Sequence, residues 1–122
     1  MNKENYISND LKNKIINNEN LTEEEIKEFF NYVIYKVKII NTYKKKLDSN
    51  ISKEYTGLYS EILYSHNLYT KVSEINNHYY CIVNINNDKY LCDLCEEKYK
   101  YLKLNSIIYE EYKEYIKNKY QD

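Results

Sequence analysis

The sequence predicts an α+β fold: helices packed on one face of a small antiparallel sheet of three or more strands, with a helical N-terminal half and a C-terminal helix. Three observations predict it. Leu21-Thr22-Glu23-Glu24-Glu25-Ile26 is a helix-start signature, followed by apolar residues at spacings of three and four. From Tyr69 the apolar period falls to two and is interrupted by short Asn/Asp turns, and at Ser106 helical spacing returns. No element repeats and no flexible linker intervenes, so the 122 residues are expected to form a single domain over 1–122.

Taken in order, Tyr6, Leu11, Ile15 and Ile16 give a thin stripe and predict a short, weakly held helix within residues 1–20. In the next segment Thr22 can cap, Glu25 can reach back to it, and Leu21 can pack on Ile26, which starts a helix at Glu23. Its stripe of Ile26, Phe29, Phe30, Val33, Val37 and Ile40 faces a core and runs to about Leu47, and the acidic first turn and Lys44-Lys45-Lys46 suit the helix dipole. Asp48-Ser49-Asn50 breaks the chain, and a second long helix runs from about Ser52 through Asn67 with Leu58, Ile62 and Leu63 inward. A strand follows over Tyr69–Ile75, Asn76-Asn77 can turn, and His78–Ile85 and Lys89–Cys95 form a hairpin about Asn86-Asn87-Asp88, because Asn and Asp tolerate positive φ. The last helix, about Ser106–Tyr120, turns Ile108, Tyr112, Tyr115 and Ile116 to one side.

Composition narrows the function. The formal net charge is -1, every basic residue is Lys, and Arg is absent, which argues against nucleic acid or an anionic membrane as partner. Met1 is followed by Asn2-Lys3-Glu4-Asn5 and no long apolar run occurs, so no secretory signal or membrane span is expected. Three cysteines fit reduced thiols in a cytoplasm, or a host cytoplasm if the source is viral. The excess of Asn, Lys, Ile and Tyr with no Ala, Pro or Trp has the look of AT-rich coding. The many tyrosines, among them Tyr79, Tyr80, Tyr99, Tyr101, Tyr109, Tyr112 and Tyr115, suit a core or an interface with another protein.

The hairpin register concentrates the chemistry. With the turn at Asn86-Asn87, Cys81 pairs with Cys92 and His78 with Cys95. Tyr79, Cys81, Val83, Ile85, Tyr90, Cys92 and Leu94 then form an apolar face, and the other face carries His78 with Asp93 diagonally opposite. A carboxylate beside an imidazole orients the ring as a general base. The same segment offers His78-x2-Cys81 and Cys92-x2-Cys95, the arithmetic of a zinc site, although strand alternation splits the four between two faces. No cofactor is expected, zinc being the alternative. His66 is expected as a helix-terminal or surface side chain.

The second long helix and the three strands resemble the transglutaminase-like branch of the papain-like fold. In that family a Gly-x-Cys opens a helix, a strand follows, the next strand begins with His and an aromatic, and the one after ends in Asp. Here His78-Tyr79-Tyr80-Cys81-Ile82-Val83 is similar to the His strand, and Lys89-Tyr90-Leu91-Cys92-Asp93-Leu94-Cys95 to the Asp strand. Tyr99 is similar to the aromatic that follows the Asp. The resemblance spans about Gly57 to Tyr99 and implies a Cys-His-Asp site, but Gly57-Leu58-Tyr59-Ser60 puts Tyr59 where the nucleophilic Cys would stand, with Ser60 one residue off. A phenol is a poor substitute for a thiolate. The resemblance therefore implies a pseudoenzyme that binds another protein, of inhibitor, immunity or effector type. Two alternatives follow from the same residues: a cysteine-dependent peptidase or acyl transferase with His78 as base, Asp93 orienting it and Cys95 attacking, or a small module stabilised by zinc on His78, Cys81, Cys92 and Cys95.

Overall fold

The computed structural model describes residues 7–43 and 50–121. Met1, Asn2-Lys3-Glu4-Asn5, Tyr6, the Lys44-Lys45-Lys46 run, Leu47 and Asp48-Ser49 lie outside them. The described chain runs α1 (Asn9–Ile16), α2 (Glu23–Tyr43), α3 (Ile51–Ser65), β1 (Thr70–Ile75), β2 (His78–Ile85), β3 (Asp88–Cys92), a 3-10 turn (Glu97–Tyr99), β4 (Leu102–Lys103) and α4 (Ser106–Lys119). The fold is α+β, with the strands in one antiparallel meander of order β1-β2-β3-β4. No described helix is long and apolar enough to cross a membrane.

Local chemistry accounts for each boundary. The Thr22 hydroxyl accepts from the Glu25 N–H at 3.1 Å and the Glu25 carboxylate accepts from the Thr22 N–H at 2.9 Å, closing the capping box, with Leu21 and Ile26 buried beside it. The α2 stripe is buried from Ile26 to Val37, but Ile40, expected in the core, stands 38% exposed, as residues 38–42 all lie outside the buried core. Ser8 and Asn105 cap α1 and α4 through their side-chain oxygens. Both hairpin turns are Asn-Asn pairs with positive φ at each residue, 50° and 67° at Asn76-Asn77 and 57° and 67° at Asn86-Asn87, the mirror-image turn whose twist matches paired strands. They fix the register: Ile75 faces His78, Ile85 faces Asp88, and Cys81 faces Cys92.

That register sorts the side chains. Cys81, Val83, Ile85, Tyr90 and Cys92 face a core shared with α1, α2 and α3, which includes Phe29, Phe30, Val33, Tyr59 and Leu63. The opposite face carries Tyr80 and Leu91, and there α4 docks Tyr112 and Ile116, with Tyr99, into a second core, so helices cover both faces of the sheet where one was expected. Its rings meet edge-on, Tyr80 to Tyr112 at 5.1 Å and Tyr99 to Tyr112 at 4.8 Å between centroids.

The expected third strand, Lys89–Cys95, ends early. The ladder stops at Cys81–Cys92, so His78 and Cys95 are not strand partners. The Asp93 N–H donates to Tyr99 O at 2.8 Å, its Oδ1 accepts from the Cys95 N–H at 3.1 Å, and its carbonyl accepts from Glu96 N–H at 3.2 Å. Asp93 thus turns the chain out of the sheet, an Asx-type use of a short carboxylate.

Candidate functional site

His78 and Asp93 meet beneath α4. His78 opens β2 immediately after the Asn76-Asn77 turn, and Asp93 follows the last residue of β3. The two are 2% and 1% exposed, with Nε2 to Oδ2 at 2.6 Å. The same Oδ2 accepts from the Tyr112 hydroxyl at 2.7 Å, and Oδ1 holds the Cys95 N–H. Three donors on one buried carboxylate compensate the lost hydration of its charge. Because Nε2 donates to Asp93, Nδ1 carries the lone pair whenever the ring is neutral. The His78 ring has no second hydrogen bond among the described residues, where no buried side-chain N or O lacks a partner, so Nδ1 keeps contact with solvent.

The solvent lies in an open cleft of about 350 Å³ bordered by the first turn of α3 (Asn50, Ile51, Ser52), by Asn77 and His78, and by Cys95 and Tyr120. Asn50 builds this border. Its Oδ1 caps the Lys53 N–H at 3.2 Å and accepts from the Ser52 hydroxyl at 2.7 Å, while its Nδ2 donates to Asn77 O at 2.7 Å and so ties the helix start to the turn before His78. The Ser52 Oγ also accepts from the Tyr79 N–H at 2.9 Å. Both roles of that hydroxyl are thereby engaged.

Cys95 borders the cleft as a poor nucleophile. Burial, with the charges of Asp93 and Glu96, pushes its thiol up to about 11, so at neutral pH it remains protonated. Glu96, 4% exposed, gathers the end of α4: it accepts from Tyr115 Oη at 2.7 Å, from Tyr120 Oη at 2.6 Å and from Lys119 Nζ at 3.0 Å. Burial works to raise its carboxyl, but these donors outweigh burial and hold it below the ordinary 4.5. Tyr120, so anchored, stacks on His78 with ring centroids 4.1 Å apart and planes at 17°.

Of the residues singled out from sequence, the structure brings together His78, Asp93 and Cys95. Tyr59 is elsewhere, mid-way along α3 and 1% exposed, with its hydroxyl donating to Lys100 O at 3.0 Å; it packs by Cys81 and Cys92 on the far side of the sheet from His78, where burial pushes its phenol well above 10. Cys81 and Cys92 face each other there, and among the described residues no group of three or more His, Cys, Asp and Glu gathers as a metal site. His66 ends α3, buried edge-on against Phe29 and Tyr32, with Nδ1 by Ile62 O at 2.9 Å. Sequence reasoning missed Ser52, Glu96, Tyr112 and Tyr120. For Ser52 a signal existed, Asn50 as a helix cap two residues earlier; for the tyrosines none did, since 17 of them give no contrast. No protein-family model, curated protein or solved structure matches the chain.

Proposed function

We propose that this chain is a non-catalytic protein-binding module, of inhibitor, immunity or effector type, on a transglutaminase-like scaffold that has lost its nucleophile. The order helix, strand, His strand, Asp supports the scaffold reading, with the helix start bordering His78. In that reading the nucleophile's place falls in the opening turn of α3, at Ser52, rather than at Tyr59. One observation carries the loss of chemistry: of the two candidate nucleophiles in the cleft, the Ser52 hydroxyl is spent on Asn50 and Tyr79, and the Cys95 thiol stays protonated. The short His78–Asp93 bond is what a working base would need, and it favours as second reading the peptidase or acyl transferase acting through Cys95.

Alkylation by iodoacetamide at pH 7.5 separates the two. For the binding module, Cys95 reacts no faster than a free thiol, while Ser52→Cys creates a thiol that reacts faster and loses that advantage when His78→Ala is added. Rapid labelling of wild-type Cys95, abolished by His78→Ala, overturns the binding reading in favour of the enzyme. A Ser52→Cys thiol indifferent to His78 removes the scaffold reading.

A further inference from the structure

We propose that the slot between the face of His78 and the carboxylate of Glu96 is a phenol-binding subsite, filled by the chain's own Tyr120 in this state and by a tyrosine side chain of the partner in the complex. The second half rests on the protein-binding reading; the first does not. Two geometric facts carry it. The Tyr120 ring lies flat on the imidazole at 4.1 Å, and its hydroxyl reaches a carboxylate that is 4% exposed. A flat ring with a donor at its para position satisfies both walls, whereas an aliphatic side chain offers no stacking face and a phenylalanine leaves that carboxylate contact unmade.

The slot is prepared independently of Tyr120. Asp93 fixes the plane of His78 through Nε2, with Tyr112 and the Cys95 N–H holding Asp93 in turn. Tyr115 and Lys119 position Glu96 from the other side. Tyr120 itself follows the last residue of α4, and its backbone is attached by one bond, its N–H to Ile116 O at 2.9 Å. A competing phenol need displace one ring and one hydrogen bond, and no helix or strand.

Chemical complementation tests the subsite. The chain has two histidines, and buried His66, remote from the cleft lining, serves as the internal standard for modification by diethyl pyrocarbonate. Tyr120→Ala is expected to speed modification of His78 relative to His66 by about tenfold or more, and p-cresol to restore protection at millimolar concentration. Toluene should protect about tenfold more weakly, the worth of one hydrogen bond to a charged group. Protection by toluene equal to that by p-cresol, or no acceleration in Tyr120→Ala, overturns the subsite. Should that variant fail to fold, Tyr120→Phe retains the ring and removes its anchor; an unchanged His78 rate there overturns the proposal equally.

The partner half is read on the wild-type protein by NMR, with acetyl-Gly-Tyr-Gly-amide as probe and its Phe analogue as control. Displacement of the Tyr120 ring signals by the tyrosyl peptide alone supports capture of a partner tyrosine. Silence towards both peptides, with p-cresol still filling Tyr120→Ala, overturns that half and leaves the subsite. Neither outcome touches the alkylation result, so failure of the subsite is distinguishable from failure of the binding reading.

Discussion

The two faces of the sheet are built from alternate residues of the same strands yet held by different physics. Towards α1–α3 the contacts are Cys81, Val83, Ile85 and Cys92 against Phe29, Phe30 and Leu63, a core cluster with no carboxylate among its buried residues. Towards α4, ring contacts around Tyr112 merge with hydrogen bonds to two buried carboxylates, Asp93 and Glu96. Non-directional burial tolerates small adjustments, whereas a buried charge needs each donor in place. The second face is therefore the more specified and the more fragile per atom, and it is the one that presents the cleft.

The largest expected effects lie at the centre of each face. Asp93→Ala should cost about 3–5 kcal/mol in urea unfolding, because it strands His78 and Tyr112 and unmakes the turn out of β3. Leu63→Ala, 0% exposed on the first face, should cost about 2–5 kcal/mol by cavity formation. A double-mutant comparison sharpens the contrast: Asp93→Ala with Tyr112→Phe should cost less than the sum, while Leu63→Ala with Tyr112→Phe should add, since those two lie on opposite sides of the sheet. Tyr112→Phe alone removes one hydrogen bond to a carboxylate and should cost about 1–3 kcal/mol.

The acid limb of stability should also divide the faces. Glu96 is held below its ordinary 4.5 when folded, so the unfolded chain binds its proton first as pH falls. Its contribution is present above the ordinary value and is lost as pH drops through the lower folded one. Glu96→Gln should flatten the fall in urea midpoint below about pH 4.5 relative to wild type, and Leu63→Ala should leave its shape unchanged. The smallest effect has the opposite sign. Gly57 is helical, without positive φ, and an added Cβ meets nothing within 4 Å, so Gly57→Ala should stabilise by about 0.5–1 kcal/mol, read as a rise in Tm.

What could be read from the chain was what local chemistry determines. The Thr22–Glu25 box, the two Asn-Asn turns and the period change at Tyr69 fix helix start, register and strand faces, and through the register they place His78 near Asp93. What escaped was set by packing at a distance. The two-residue β4 has no pattern of its own, and nothing in the spacing of Ile108, Tyr112 and Ile116 says which face of the sheet their helix covers. The single glycine drew attention to Tyr59 as the residue standing where a nucleophilic Cys would be; the turn of α3 that borders the cleft begins six residues before that glycine, at Ile51.

The turns carry a consequence for how such a chain is encoded. Positions with positive φ ordinarily call for glycine, whose codons begin GG, yet among the described residues Asn18, Asn67, Asn76, Asn77, Asn86 and Asn87 hold all of them, and the one glycine sits in a helix where its freedom is unused. Asparagine codons begin AA. A gene drifting towards A and T can thus do without glycine and keep such left-handed corners, so the asparagine excess that looks like mutational noise in the composition is, at these six sites, the residue that holds two hairpin turns and the exits of two helices.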